Sequence, residues 1–240
     1  VFKFLKNQDF LVKTDQDLIS GPALKPEYRE LDFVEARGPK DFTFDSKGGT
    51  TPVEFVYHVD GDTTRVKIPL FTGSNITDTN SIRYYWNQCP ESTTNQTVSP
   101  QAWGFPASNL IKKIVTAITP EDEFLVQSAI DETIVDTYGR YLGLLWLNGQ
   151  CLNYINVRAG TTEFAGNSTS KLGWFDDREV SYFGWFYNAE LRASKYKWGV
   201  WNDYYLGQPS KDPMWDYTNR VRLNGVEDYY PPLHDELSIY

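Results

Sequence analysis

The sequence predicts an α+β fold dominated by antiparallel sheet, a sandwich or barrel, with one or two helices between about residues 107 and 142. Three observations carry this expectation. Residues 53–70 alternate like a hairpin, helical spacing is confined to the middle of the chain, and short strand-like runs return after Gly143. No Ser/Gly-rich or Pro-rich linker divides the 240 residues, so residues 1–240 read as one domain.

Taken in order, residues 1–40 read as an irregular arm, with short extended pieces between Gly, Pro and Asp. Val53 to Val59 is rich in β-branched and aromatic residues, Asp60-Gly61 is a favoured turn, and Arg65 to Leu70 alternates polar and apolar. A strand is expected around Ser81 to Trp86. Ser108 caps a helix whose apolar positions are Leu110, Ile111, Ile114, Val115 and Ile118. Thr119-Pro120-Glu121-Asp122-Glu123 has the residues of a helix start, and Phe124, Ile130, Ile134, Tyr138 and Tyr141 follow, so the reading is helix over 120–141. Strands are expected at 144–147 and 151–157, joined by an Asn148-Gly149 turn. Aromatics crowd residues 174–217, and residues 227–240 form an extended acidic tail.

Composition excludes more than it selects. The formal charge is −9 and no run of Lys or Arg can line a row of phosphates, so direct nucleic-acid binding is not expected. No stretch has the roughly 20 apolar residues of a membrane-spanning helix. Nucleophile-elbow, P-loop, dinucleotide and paired C-x-x-C motifs are absent, and only two His and two Cys are available. The chain opens on Val1 and its single Met is Met214, so processing upstream, or a fragment, is expected. Cys89 and Cys151 are either one disulfide or two buried thiols. Asn75, Asn95 and Asn167 head N-glycosylation sequons in loop-like stretches.

Two constellations carry chemistry. His58 and Asp60, two apart on a strand, together with His234 supply two imidazoles and a carboxylate. The pattern resembles the iron-binding triad of non-haem, 2-oxoglutarate-dependent oxygenases, which implies ferrous iron at these three residues. Asp60 is also explained as the first residue of the hairpin turn, and no cofactor is called for. The second constellation joins Trp174, Glu179, Trp185, Tyr187, Trp198 and Trp201. If residues 178–187 are a strand, Glu179 shares a face with Trp185 and Tyr187, which suits a glycan cleft.

The expected function is a structural, self-assembling subunit of a virion, capsid or tail, in contact with copies of itself or other subunits. Abundant Tyr and Trp suit interfaces, and no catalytic residue is assigned. The second expectation is a secreted carbohydrate-binding or carbohydrate-cleaving domain. Both place the protein in a virion or outside the cell, away from membrane and nucleic acid.

Overall fold

The computed structural model describes residues 21–25, 48–68, 79–92, 100–128, 135–166, 175–176, 179–201, 215–216 and 221–222. These residues form a mixed α+β structure, mostly β-sheet with three α-helices. The seven-stranded main sheet has the order β1-β6-β7-β4-β3-β2, with β8 paired to β7. Its strands are β1 (Thr50–Pro52), β2 (Glu54–Asp60), β3 (Thr63–Lys67), β4 (Asn80–Tyr84), β6 (Phe124–Ser128), β7 (Tyr141–Leu147) and β8 (Gln150–Cys151). The short β5 (Asn87–Gln88) pairs with β9 (Glu163–Phe164), and β10 (Trp215–Asp216) with β11 (Val221–Arg222). Most of these ladders are antiparallel. The exception is β4 against β7, which run parallel.

The hairpin expected at 53–70 is β2–β3, but its two turn residues are Gly61-Asp62 rather than the expected Asp60-Gly61, because Asp60 still pairs with Thr63 at the end of the ladder. The Asn148-Gly149 turn joins β7 to β8 with φ of 49° and 80°. Both values are positive, as a primed two-residue turn requires, and Gly meets that demand without a Cβ penalty. Helix α1 (Gly104–Val115) buries Leu110, Ile111, Ile114 and Val115 as expected, but it starts a turn earlier, with Trp103 at its N-cap, so Ser108 lies inside the helix and does not cap it.

Three further expectations are corrected. The helix read over 120–141 is absent among the described residues of that span: Phe124 to Ser128 is β6, buried along its whole length between β1 and β7, and 129–134 lie outside the described residues. Such a strand shows no alternation, because both faces are covered. Thr119 and Asp122 do cap, but they close a turn, in which the Thr119 amide and hydroxyl both donate to Asp122 Oδ2 at 2.8 and 2.9 Å. The strand expected at 151–157 is helix α2 (Leu152–Ala159). Leu152, Ile155 and Ala159 pack in one apolar cluster, while Tyr154 and Val157 pack in the other. The strand premise for 178–187 also gives way, to helix α3 (Tyr182–Tyr196). Tyr182, Trp185, Phe186, Ala189 and Ala193 recur at helical spacing, and all are buried.

The two clusters set the layers. One lies between the sheet, α1 and α2, with Val66, Ile82, Ile111, Val126 and Leu145 at its centre. The other joins β7, α2 and α3 through Trp146, Tyr154, Trp185 and Phe186. No helix among the described residues is long and apolar enough to cross a membrane.

Candidate functional site

The parallel pair β4–β7 brings together residues that are far apart in the chain. Ile82 lies opposite Tyr141 and Arg83 opposite Leu142, so Arg140, one residue before β7, enters beside β4 near Arg83. On the other flank of β4, Thr63 pairs with Arg83 and sets the Gly61-Asp62 turn against it.

Asp62 is buried and fully engaged. Its Oδ1 forms an ion pair with Arg83 Nη1 and accepts the Thr63 hydroxyl at 3.3 Å. Its Oδ2 accepts the Cys89 amide at 2.9 Å. Arg83 is fixed from its other side as Nη2 donates to the Asn87 carbonyl at 3.1 Å. Burial holds the Arg83 guanidinium below the usual arginine range, and the nearby Arg140 charge adds to that while Cys89, Asp60 and Glu91 oppose it. Asp60 Oδ1 accepts the Asp62 amide at 3.1 Å and closes the turn. Burial pushes the Asp60 carboxyl above its usual range, against the pull of Arg83, Thr63, His58 and Arg140.

Arg140 is presented by a turn built on Asp136. Asp136 Oδ1 accepts the amides of Tyr138 and Arg140, both at 2.9 Å, and Oδ2 accepts Arg140 Nε at 2.7 Å. Partial burial raises the Asp136 carboxyl, but these bonds outweigh it and leave it below its usual range. Because the contact uses Nε, the terminal nitrogens of Arg140 keep their donors for another acceptor. Glu91 completes the set. Its amide donates to Gln101 Oε1 at 2.9 Å and its carbonyl accepts the Gln101 amide at 2.8 Å. The start of α1 presses against it: a Cβ at Gly104 would collide with the Glu91 carbonyl, so only Gly fits there. The Glu91 side chain has no hydrogen bond to another described residue.

Sequence reasoning named Asp60 but missed Arg83, Glu91 and Arg140. Two signals were present: an Arg inside an otherwise apolar and aromatic run (Ile82-Arg83-Tyr84-Tyr85), and Asp136-Thr137-Tyr138-Gly139-Arg140, an Asp-started turn with Gly139 at φ 78°. Reading 120–141 as helix hid the second.

Of the expected iron ligands, His58 and Asp60 are electrostatic neighbours and His234 lies outside the described residues. His58 Nε2 is 2.8 Å from Ser108 Oγ on α1. Burial lowers its pKa to about 4, with Lys112 in the same direction and Asp60 opposed. A histidine depressed in the folded state is protonated first in the unfolded chain. Its contribution is therefore complete above the ordinary histidine pKa of about 6.5 and is lost as pH falls toward about 4. Asp60, being raised, acts with the opposite sign at the acid end. Replacing His58 by Gln is expected to flatten the fall in thermal midpoint across that window. A wild-type slope retained in the variant would assign the acid sensitivity elsewhere.

The glycan set is dispersed in character. Trp185 is fully buried, with its Nε1 donating to Asp176 Oδ2 at 2.7 Å. Tyr187, Trp198 and Trp201 are half-buried, Glu179 is exposed at φ 62°, and Trp174 lies outside the described residues. Trp198 stacks on Tyr196 with 5.5 Å between ring centres. Cys89 and Cys151 are two free, buried thiols, each pushed up to about 12 by burial. Asn75, Asn95 and Asn167 lie outside the described residues, as do 1–20, 26–47 and the tail 227–240.

No curated protein matches the chain. The family described as Staphylococcal nuclease homologue matches residues 81–203, from β4 through α3, and that span includes Arg83, Glu91 and Arg140 but not the Asp60–Asp62 turn. The match covers just over half of the 240 residues, and the chain belongs to the Staphylococcal nuclease homologue family.

Proposed function

We propose that this protein binds phosphodiesters between Arg83 and Arg140 and hydrolyses them, as a nuclease of short or single-stranded substrates. The observation that carries the reading is the pair of guanidiniums delivered by adjacent parallel strands, each held by a carboxylate that leaves donors free. Planar guanidinium forks match phosphate oxygens, and two of them stabilise the charge that gathers on phosphorus oxygens during transfer. Glu91 is the candidate general base. It takes a proton from water as the water oxygen bonds to phosphorus, the ester P–O bond breaks, and the leaving oxygen takes a proton from solvent.

The family name supports this chemistry, and the topology supports a surface for it. The two ends of the sheet order, β1 and β2, are separated only by Val53. We read this as closure into an OB-like barrel, a form whose faces and loops receive oligonucleotides. A charge of −9 disfavours a long duplex held by its backbone, which is why short substrates are preferred. Neither the virion-subunit reading nor the glycan reading gains support from the described residues.

Nuclease chemistry often recruits a divalent metal. The donors here do not fit one. Both Asp62 oxygens and Asp60 Oδ1 are already occupied, and no three His, Cys, Asp or Glu among the described residues group to hold a cation. No step above uses one. The test is release of 4-nitrophenol from bis(4-nitrophenyl) phosphate and cleavage of a labelled single-stranded oligonucleotide by the purified chain. Turnover that Glu91→Gln suppresses about a hundredfold is expected. Wild-type release no faster than buffer would sink the reading.

A further inference from the structure

We propose that Asp62 serves this site as the residue that positions Arg83 rather than as the ligand of a divalent cation, and that phosphate is bound here without one. The inference rests on the phosphodiester reading and adds to it the manner of binding. Asp62 lies in the turn between β2 and β3, and its two oxygens serve three partners: Arg83, the Thr63 hydroxyl and the Cys89 amide. A cation on Asp62 would have to displace Arg83, its only charged partner among these. It would then stand beside a freed guanidinium, with Arg140 close by. Like charges gathered beside a half-buried guanidinium repel one another.

The remaining donors are few. Calcium takes six to eight oxygens with several carboxylates among them, and magnesium demands near-octahedral geometry. Asp60 spends Oδ1 on the Asp62 amide and is also bonded by the Thr63 side chain, which leaves Glu91 as the carboxylate of this group without a hydrogen bond from another described residue. The same contacts that disfavour a cation favour an anion. Asp62 on Nη1 and the Asn87 carbonyl on Nη2 fix the plane of the Arg83 fork, and Asp136 fixes Arg140 through Nε. A pre-set fork loses less freedom when phosphate arrives.

The experiment titrates the full chain with calcium chloride by calorimetry, and separately measures KM for bis(4-nitrophenyl) phosphate in EDTA and in calcium. No saturable heat below about 1 mM calcium is expected, and KM is expected to agree within about twofold between the two buffers. Asp62→Asn is expected to raise KM about tenfold in both buffers, with Asp62→Glu recovering most of the loss. One-to-one calcium binding tighter than about 1 mM would overturn the inference, as would a KM that falls about tenfold with calcium in wild type but not in Asp62→Asn. If the asparagine variant does not fold, the wild-type titration decides by itself. Absence of turnover in both buffers would instead remove the phosphodiester reading, while the calcium titration would still decide the cation question.

Discussion

Trp185→Ala is expected to lower the free energy of unfolding by about 3–5 kcal/mol, the range for deleting a large aromatic from a packed core. Trp185 is fully buried on α3, in the cluster formed with β7 and α2, and meets the Tyr154 ring edge-to-face at 6.1 Å between centres. Truncation leaves a large cavity and removes the donor from the buried Asp176, whose Oδ2 accepts Trp185 Nε1. Asp176 keeps its second bond, from the Val180 amide to Oδ1 at 2.8 Å, so the turn before α3 is not released completely. Trp185→Phe keeps most of the volume and loses the donor, and should fall between wild type and alanine. Urea midpoints measured at constant m-value check this. A midpoint for the alanine variant within error of wild type would mean that this face of α3 is not packed. The result also bears on the glycan reading, because a residue at the centre of a core affects sugar binding only through folding.

What the sequence made legible was local. The two strands of β2–β3 follow from local residue pattern, though their turn lies one residue later than expected. The Asn148-Gly149 turn follows from short-range turn chemistry, and α1 follows from the spacing of Leu110, Ile111, Ile114 and Val115. What it hid was decided by partners distant in the chain. Phe124 to Val126 is apolar without alternation, Gln127 and Ser128 are polar yet buried, and only the place of the segment between β1 and β7 makes it a strand. In α2, Asn153 and Asn156 look like loop residues, yet both are fully buried. Asn153 accepts from the Leu145 amide and donates to the Tyr85 and Gly143 carbonyls, each at 3.0 Å. Asn153 thereby ties α2 to the middle of β7 and to the residue after β4, and Asn156 donates to the Gly61 carbonyl in the β2–β3 turn at 2.7 Å, purposes invisible without the fold. The aromatic segment misled in another way: Trp and Tyr suggest strands by propensity, but the buried set in α3 keeps the helical period. For the site, the sequence offered only Asp60 of the turn beside Arg83, and as an iron ligand. Arg83 and Arg140 were not legible, because the parallel register of β4 with β7 is what unites them.

Arg140→Ala is expected to reduce kcat/KM for phosphodiester hydrolysis by about a hundredfold or more, the usual effect of removing one charged donor from a transition-state clamp. The substitution is chosen because the fold should tolerate it. Arg140 is half-buried and precedes β7, and the Asp136 turn retains its bonds from the Tyr138 and Arg140 amides when the side chain is gone. A change of only a few degrees in thermal midpoint is therefore expected, unlike Arg83→Ala, which would leave the buried Asp62 without its counter-ion. Arg140→Lys keeps the charge but not the fork, nor the Nε contact that Asp136 makes at 2.7 Å. It should recover little of the lost rate. The loss is expected mainly in kcat, because charge on the transferring phosphoryl oxygens grows toward the transition state while the ground-state ester carries a single charge. An alanine variant that raised KM and left kcat intact would reduce Arg140 to a binding contact and move the electrostatic role to Arg83. Full activity in the alanine variant would place the chemistry outside the β4–β7 pair altogether, whatever family the chain belongs to.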